Sequence, residues 1–172
     1  METGFLQVLL NPARFFESRM QEEPSLKVPA LIALVCGLIG AVSTLMMADI
    51  TVAMLPAEMK GLGWLMVAFS TAVAFIGGFL AWIIYGFIFH IISMAFKGQG
   101  SLNRTLEVTG YGFLPQVFGG IIGSIFSYLL LSGLTVPAMS SAEEIAAFSE
   151  NLVTVLTTDP LAQVAGIVGI LF

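Results

Sequence analysis

The sequence predicts an all-α, polytopic integral membrane protein, and three observations carry that prediction. Of 172 residues, 58% are hydrophobic and only 10% are charged, and the mean hydropathy is +0.98. A soluble domain carries about 25% charged residues and needs them to coat its outside. The apolar residues fall in runs long enough to cross about 30 Å of hydrocarbon as helices, and the six basic residues lie ahead of those runs or at their ends. The net charge of −5 supplies no basic face for nucleic acid. A lone cysteine, Cys36, permits no internal disulfide and has no partner thiol for a metal or redox centre.

Residues 1–27 read as a cytoplasmic or interfacial arm, and residues 28–172 as the transmembrane domain. The arm has no apolar core of the length a cleavable signal needs. Asn11 before Pro12 is a helix start, a capping side chain followed by proline at the first helical position. The helix it opens runs to Met20, with Phe15, Phe16 and Met20 along one side and Arg14, Glu17 and Arg19 largely elsewhere. Such a helix either lies at the headgroup level or packs on the rest of the protein.

The first span is predicted over residues 28–48, which hold no charge and end at Asp49. A short external turn with Pro56 covers 54–60. Residues 62–96 are uncharged if His90 is neutral, and as one tilted helix they measure about 52 Å. Gly77-Gly78 marks a kink or a close-packing point within it. A turn at 97–101 leads to a third span over 104–131, interrupted by Pro115. After a polar loop at 133–141, Ser141 and Glu144 form a capping box for an external amphipathic helix over about 141–155. Asp159-Pro160 opens a fourth apolar segment, 160–172, too short for a full crossing and read as incomplete. Orientation follows from lysine and arginine alone. Arg14, Arg19 and Lys27 precede the first span, Lys60 follows it, and Lys97 and Arg104 follow the second. That alternation places the N-terminus and the 97–104 turn in the cytoplasm, on the plasma membrane if the source is prokaryotic.

Polar groups at membrane depth are costly and are the first places to look for function. His90 and Glu107 flank one short turn, so antiparallel neighbours bring them to similar depth, with Tyr111 and Pro115 beyond them. A His90–Glu107 contact is the sharper reading. A buried structural pair, or Glu107 bound to Arg104 one turn earlier, is the plainer one. Gly37 and Gly40, Gly120 and Gly123, and Gly166 and Gly169 share a Gly-aliphatic-aliphatic-Gly pattern, a candidate for helix packing. Arg14, Phe15, Phe16, Arg19, Lys97 and Arg104 are the candidate contacts to a partner or to headgroups. The aromatic series Phe75, Phe79, Trp82, Phe89 and Phe96 reads as lipid-facing or packing surface. No catalytic or phosphate-binding motif is present, and one histidine without paired carboxylates at depth does not make a metal site. The chain is therefore expected to be no enzyme and to carry no cofactor.

Several short motifs together resemble the Yip (Ypt-interacting protein) domain family. They are Asn11-Pro12-Ala13-Arg14-Phe15-Phe16-Glu17 ahead of the first span, Pro29 at its mouth, and Lys97-Gly98-Gln99-Gly100-Ser101 leading into Gly110-Tyr111-Gly112-Phe113-Leu114-Pro115. The resemblance covers nearly the whole chain. It implies a five-helix polytopic domain with a cytoplasmic N-terminus, its fourth helix interrupted here and its fifth absent. Eukaryotic members are associated with prenylated Rab-type GTPases and with traffic between endoplasmic reticulum and Golgi. By that analogy alone a small GTPase is a partner. The sequence carries neither their long N-terminal region nor their Asp-Leu-x-Gly-Pro motif, and so is similar to the short prokaryotic members. The expected function is that of a non-enzymatic membrane scaffold or adaptor, bound to the bilayer and associating with itself or other membrane proteins. The alternative is a small transporter or channel built on His90 and Glu107.

Overall fold

The computed structural model describes residues 7–132 and 141–171, and among them every regular element is helical. A short turn α1 (Gln7–Leu10) precedes α2 (Pro12–Met20), which Asn11 caps through its side chain to the Arg14 N–H at 3.3 Å. The first long helix, α3 (Lys27–Met46), is followed by α4 (Ala48–Ala53), with Asp49 in its first turn. A 3₁₀ turn (Ala57–Leu62) leads into α5 (Gly63–Ala95), and α6 (Leu102–Gly112) and α7 (Leu114–Ser132) follow. The capping box at Ser141 and Glu144 is formed in full and starts α8 (Ala142–Thr158). Asp159 caps α9 (Pro160–Leu171) by accepting from the Leu161 N–H at 2.7 Å. Most of the loop predicted over 133–141 lies outside the described residues.

Among the described residues, three stretches are long and apolar enough to cross a membrane: Lys27–Met46, Ala57–Ala95 and Leu102–Leu130. In the most apolar part of the second and third, only 11% of residues are buried within the protein. Phe69, for instance, is 70% exposed. So many large apolar side chains facing outward along one helix suit surroundings of hydrocarbon. Helix α9, at 12 residues, is not among the three.

The break near Pro115 and the Gly77-Gly78 point each take a definite form. The third span is two helices, with Phe113 between them, its N–H turned to the Gly110 carbonyl at 3.2 Å. Pro115 therefore sits in the first turn of α7, where its missing N–H leaves no bond unmade. And α5 runs through Gly77-Gly78 as one continuous helix.

The chain divides into two compact units, with boundaries falling inside α3, α5 and α7. The first comprises Met1–Leu38 and Phe75–Val117. Its core gathers Val8, Phe15, Ile32, Ala33, Trp82, Leu106, Tyr111 and Leu114. Within this unit α3 and α5 cross where Gly37 meets Gly78. A Cβ on Gly78 would lie 2.6 Å from Gly37 Cα, and one on Gly37 would strike the Phe75 backbone carbonyl. The same unit packs α6 on α5 through Gly86 against Leu106, and places Gly110 against Pro29 and Trp82. The Trp82 indole donates to the Leu106 carbonyl at 2.8 Å. That bond satisfies a buried donor which would otherwise cost about 1–3 kcal/mol.

The second unit comprises Ile39–Ala74 and Phe118–Phe172. Here Gly120 lies under Ile39, a Cβ on it standing 3.0 Å from Ile39 Cγ2. One turn on, the Ser43 and Ser124 hydroxyls meet at 2.6 Å. Each is also within reach of its own helix's carbonyl four residues back, Ile39 at 2.8 Å and Gly120 at 2.7 Å. A hydroxyl has one proton, so one of the two donates across the gap. Such an interhelical bond contributes about 0.6 kcal/mol in a membrane.

Candidate functional site

Five of the candidate residues, Phe15, Arg19, Arg104, Glu107 and Tyr111, meet where the arm helix packs on α6. Ser101 starts α6 by accepting from the Arg104 N–H at 3.3 Å. The spacing of the residues that follow puts Arg104, Glu107 and Tyr111 on one side of that helix, three and four residues apart. On α2, Phe15 and Arg19 are likewise four apart. The two spacings match. The Phe15 ring meets Tyr111 edge-on at 4.9 Å, and one turn away Arg19 Nη2 donates to Glu107 Oε1. The two pairs run in opposite senses along the sequence, so α2 lies antiparallel to α6 with an aromatic rung and an ionic rung.

Glu107 is only 1% exposed. Besides Arg19 it accepts from the Ser25 backbone N–H at 3.2 Å and from Arg104 Nη1 at 2.6 Å. The two guanidiniums keep side-chain exposures of 16%. Arg104 also donates to the Arg19 carbonyl at 2.8 Å and to the Glu22 carbonyl. Those carbonyls lie in and just beyond the last turn of α2, where a helix leaves its acceptors unmet. Arg104 thus caps the arm helix from another helix while holding Glu107. Arg19 further pairs with Glu22. Its pKa is raised, because the hydrogen bond to Glu107 outweighs the desolvation that opposes it, and the guanidinium stays charged. The Arg19 Nε is buried without a partner.

The expected His90–Glu107 contact does not form. His90 is half-buried, with Nδ1 3.2 Å from Thr105 Oγ1. Thr105 and Glu107 are two residues apart, so at 100° per residue they point to nearly opposite sides of α6. His90 meets one side, and Glu107 faces the arm. The plainer sequence reading, Glu107 on Arg104 one turn earlier, describes the pair that is present, with Arg19 and Ser25 added.

Of the residues expected to touch a partner or headgroups, Phe15 is buried against Tyr111, Phe16 is half-buried beside it, and Arg19 and Arg104 belong to the cluster. Arg14 and Lys97 are exposed. Lys97 takes a left-handed φ of 63° as α5 ends. Its N–H bonds the Met94 carbonyl at 2.9 Å and the Gly98 N–H bonds Ser93 at 2.8 Å, the pairing of a Schellman stop. Of the glycine pairs, Gly37, Gly40 and Gly120 meet neighbouring helices, while nothing lies within 4 Å of a Cβ on Gly123 or Gly166. Gly169 falls in α9, outside the residues whose side-chain surroundings are described. The Arg19–Glu107 pair escaped the sequence reading because its members are 88 residues apart. The only signal was the shared four-residue spacing of Phe15 with Arg19 and of Glu107 with Tyr111.

Beside the cluster, α5 and α6 leave a groove with a volume of about 730 Å³. Tyr85, Phe89 and Ser93 form one wall, four residues apart along α5, and Arg104, Thr105, Val108, Thr109 and Gly112 form the other. Met20 of the arm and Gln116 of α7 also line it. Among the described residues no group of three or more metal-ligating side chains occurs.

The sequence matches the model of the Yip1 domain over residues 6–172. The chain belongs to the Yip1 domain family. This Yip1 domain is also similar to an uncharacterized protein of the archaeon Methanocaldococcus jannaschii, 38% identical over 131 residues, which covers 74% of this chain and 90% of that protein. No solved structure matches it. The family and the three apolar stretches make the chain an integral membrane protein of the Yip1 type, and the archaeal relative agrees with the prokaryotic form its sequence resembles.

Proposed function

We propose that this Yip1 domain is a non-catalytic membrane scaffold or adaptor, which presents a preformed surface on its arm helix at the cytoplasmic face. The carrying observation is the clamp. Glu107, Arg104 and Arg19 fix α2 on α6, so the arm offers a set geometry instead of a loose tail. The inward side of α2 is used up by Phe15 and Arg19, while Arg14, Glu17 and Leu10 stay exposed. A preformed surface binds without the ordering cost that a flexible segment meets. The distribution of basic residues supports a cytoplasmic arm, and the open surroundings of Gly123 and Gly166 support self-association through small-residue faces.

Photo-crosslinking from position 17 in native membranes tests this reading. The expected result is a discrete adduct that weakens when Glu107→Ala releases the arm. The same adducts from wild type and from a variant lacking residues 1–20, crosslinked at position 97, would remove the arm as the binding element. A proteoliposome assay tests the competing class. Silence across ions and small solutes is expected, and flux abolished by Glu107→Gln would replace the adaptor with a transporter.

A further inference from the structure

The first unit shows opposite surfaces at one level. On α5, Ile76, Leu80, Ile84, Phe87, Ile91 and Met94 recur three or four residues apart and form one stripe, each about half exposed or more. By the helical turn this stripe points away from Trp82, which faces α6. On α2, Arg14 and Glu17 are exposed on the side away from Phe15 and Arg19. Between them stands α6, which meets His90 of α5 through Thr105 and Arg19 of α2 through Glu107 on nearly opposite sides. Gly86 abuts Leu106 and Gly110 abuts Trp82, so α6 runs antiparallel to α5 and Tyr111 stands level with Trp82. The Phe15–Tyr111 contact then brings Arg14 and Glu17 to within about one turn of that level. Met94 lies about three turns, or about 18 Å, beyond it along α5.

The stripe belongs to an uncharged run that lasts to Phe96, and a patch of that length is more apolar surface than proteins leave to water. A further helix suits it no better. Within this unit α5 meets α3 at Gly78 and α6 at Gly86. The stripe has no small residue over which another backbone approaches in a membrane. Acyl chains need none. A flat bilayer covers the stripe to Met94 and leaves Arg14 and Glu17 in water only if the unit leans. Packed helices stand about 8–10 Å apart, so α5, α6 and α2 span about 20 Å. Over that width an offset of about 18 Å asks for a lean of about 40°, the upper end of the range for membrane helices. The length of α5 asks for the same independently: its 33 residues measure about 50 Å, against about 30 Å of hydrocarbon. We infer that α5 crosses the bilayer obliquely, with acyl chains of the arm-side leaflet laid along its glycine-free stripe as far as Met94, while α2 on the opposite side of the unit stands in water.

Depth on the two sides is read from single nitroxide-labelled cysteines in the full chain, on a Cys36→Ala background, in phosphatidylcholine vesicles. Ile91→Cys and Met94→Cys report the stripe, and Arg14→Cys and Glu17→Cys report the arm. All four positions are exposed, so the labels displace no packing. Oxygen concentrates in hydrocarbon and a nickel chelate in water, and the relaxation each causes reports what surrounds the label. The expected result is a several-fold excess of oxygen accessibility at 91 and 94, and of nickel accessibility at 14 and 17. If a label at 91 or 94 prevents folding, Phe87→Cys carries the measurement on the same stripe. Nickel reaching 91 and 94 as readily as 14 and 17 overturns the proposal, because the stripe then stands in water. Oxygen in excess at all four positions overturns the lean, because the arm then lies as deep as α5. Dipolar broadening between labels at 91 in neighbouring chains also overturns it, by placing a second copy on the stripe.

Discussion

Two helix contacts within the first unit, which comprises Met1–Leu38 and Phe75–Val117, are made in opposite ways. Where α3 crosses α5, Gly37 and Gly78 have no side chains, and the backbones themselves touch. Where α2 meets α6, Arg19, Arg104 and Glu107 converge, and a carboxylate is buried to hold them. The first contact needs only dispersion between close surfaces, which suits helices already surrounded by hydrocarbon. The second must hold a helix of nine residues that carries Arg14, Glu17 and Arg19, and for that a directional, charge-assisted network serves better. Spans are joined by removing atoms; the arm is joined by adding charges.

The comparison breaks most visibly at Glu107. Glu107→Ala leaves two guanidiniums without their shared anion, and losing one partner of a buried pair costs about 3–5 kcal/mol. The expected result is a lower melting midpoint, together with rapid hydrogen exchange over residues 12–25 while α5 stays protected. Equal loosening of both regions would mean that the clamp is not specific to the arm. The next effect in size belongs to the glycine crossing. Gly37→Ala drives a methyl into the Phe75 carbonyl, and overpacking of this kind costs about 1–3 kcal/mol. It should lower the midpoint with the exchange pattern of α2 unchanged.

Arg19→Lys sharpens the comparison by keeping the charge and removing the fork. Lysine cannot reach Glu107 and Glu22 with two parallel donors as arginine does. A loss of about 1.5–3 kcal/mol in arm protection is expected, the range for a hydrogen bond to a charged group. Full protection would reduce the clamp to simple charge attraction. Gly40→Ala is the smallest effect and the control for Gly37. Its Cβ would stand 3.6 Å from the Ala74 carbonyl oxygen, an ordinary contact. The expected change is a gain of at most about 0.5–1 kcal/mol from helix propensity.

What could be read from the sequence was what is local. Asn11-Pro12 and the Ser141–Glu144 box each signal a helix start within four residues, and each cap is formed. The apolar runs were legible because length and charge suffice to recognise them. The site was legible only in part. Its depth followed from distance along the helices, which put His90 and Glu107 near one level. Azimuth did not, and the two-residue offset between Thr105 and Glu107 sends their partners to opposite sides of α6. The shared glycine pattern had the same weakness. It marks Gly37 and Gly120 in contact and Gly123 and Gly166 in the open, because four residues carry no information about what lies across the gap.

The trans cap on the arm has a consequence for biogenesis. Arg19 leaves the ribosome 88 residues ahead of Glu107, which at about 5–20 residues per second is an interval of about 4–18 s. Throughout that interval its guanidinium has Glu22 within reach, three residues on, but not Glu107. Once α6 arrives, the same charged group pairs with Glu107 and becomes a tether. The order of translation thus sets when the arm is bolted down: α3 and α5 are made before the residue that fastens α2 exists.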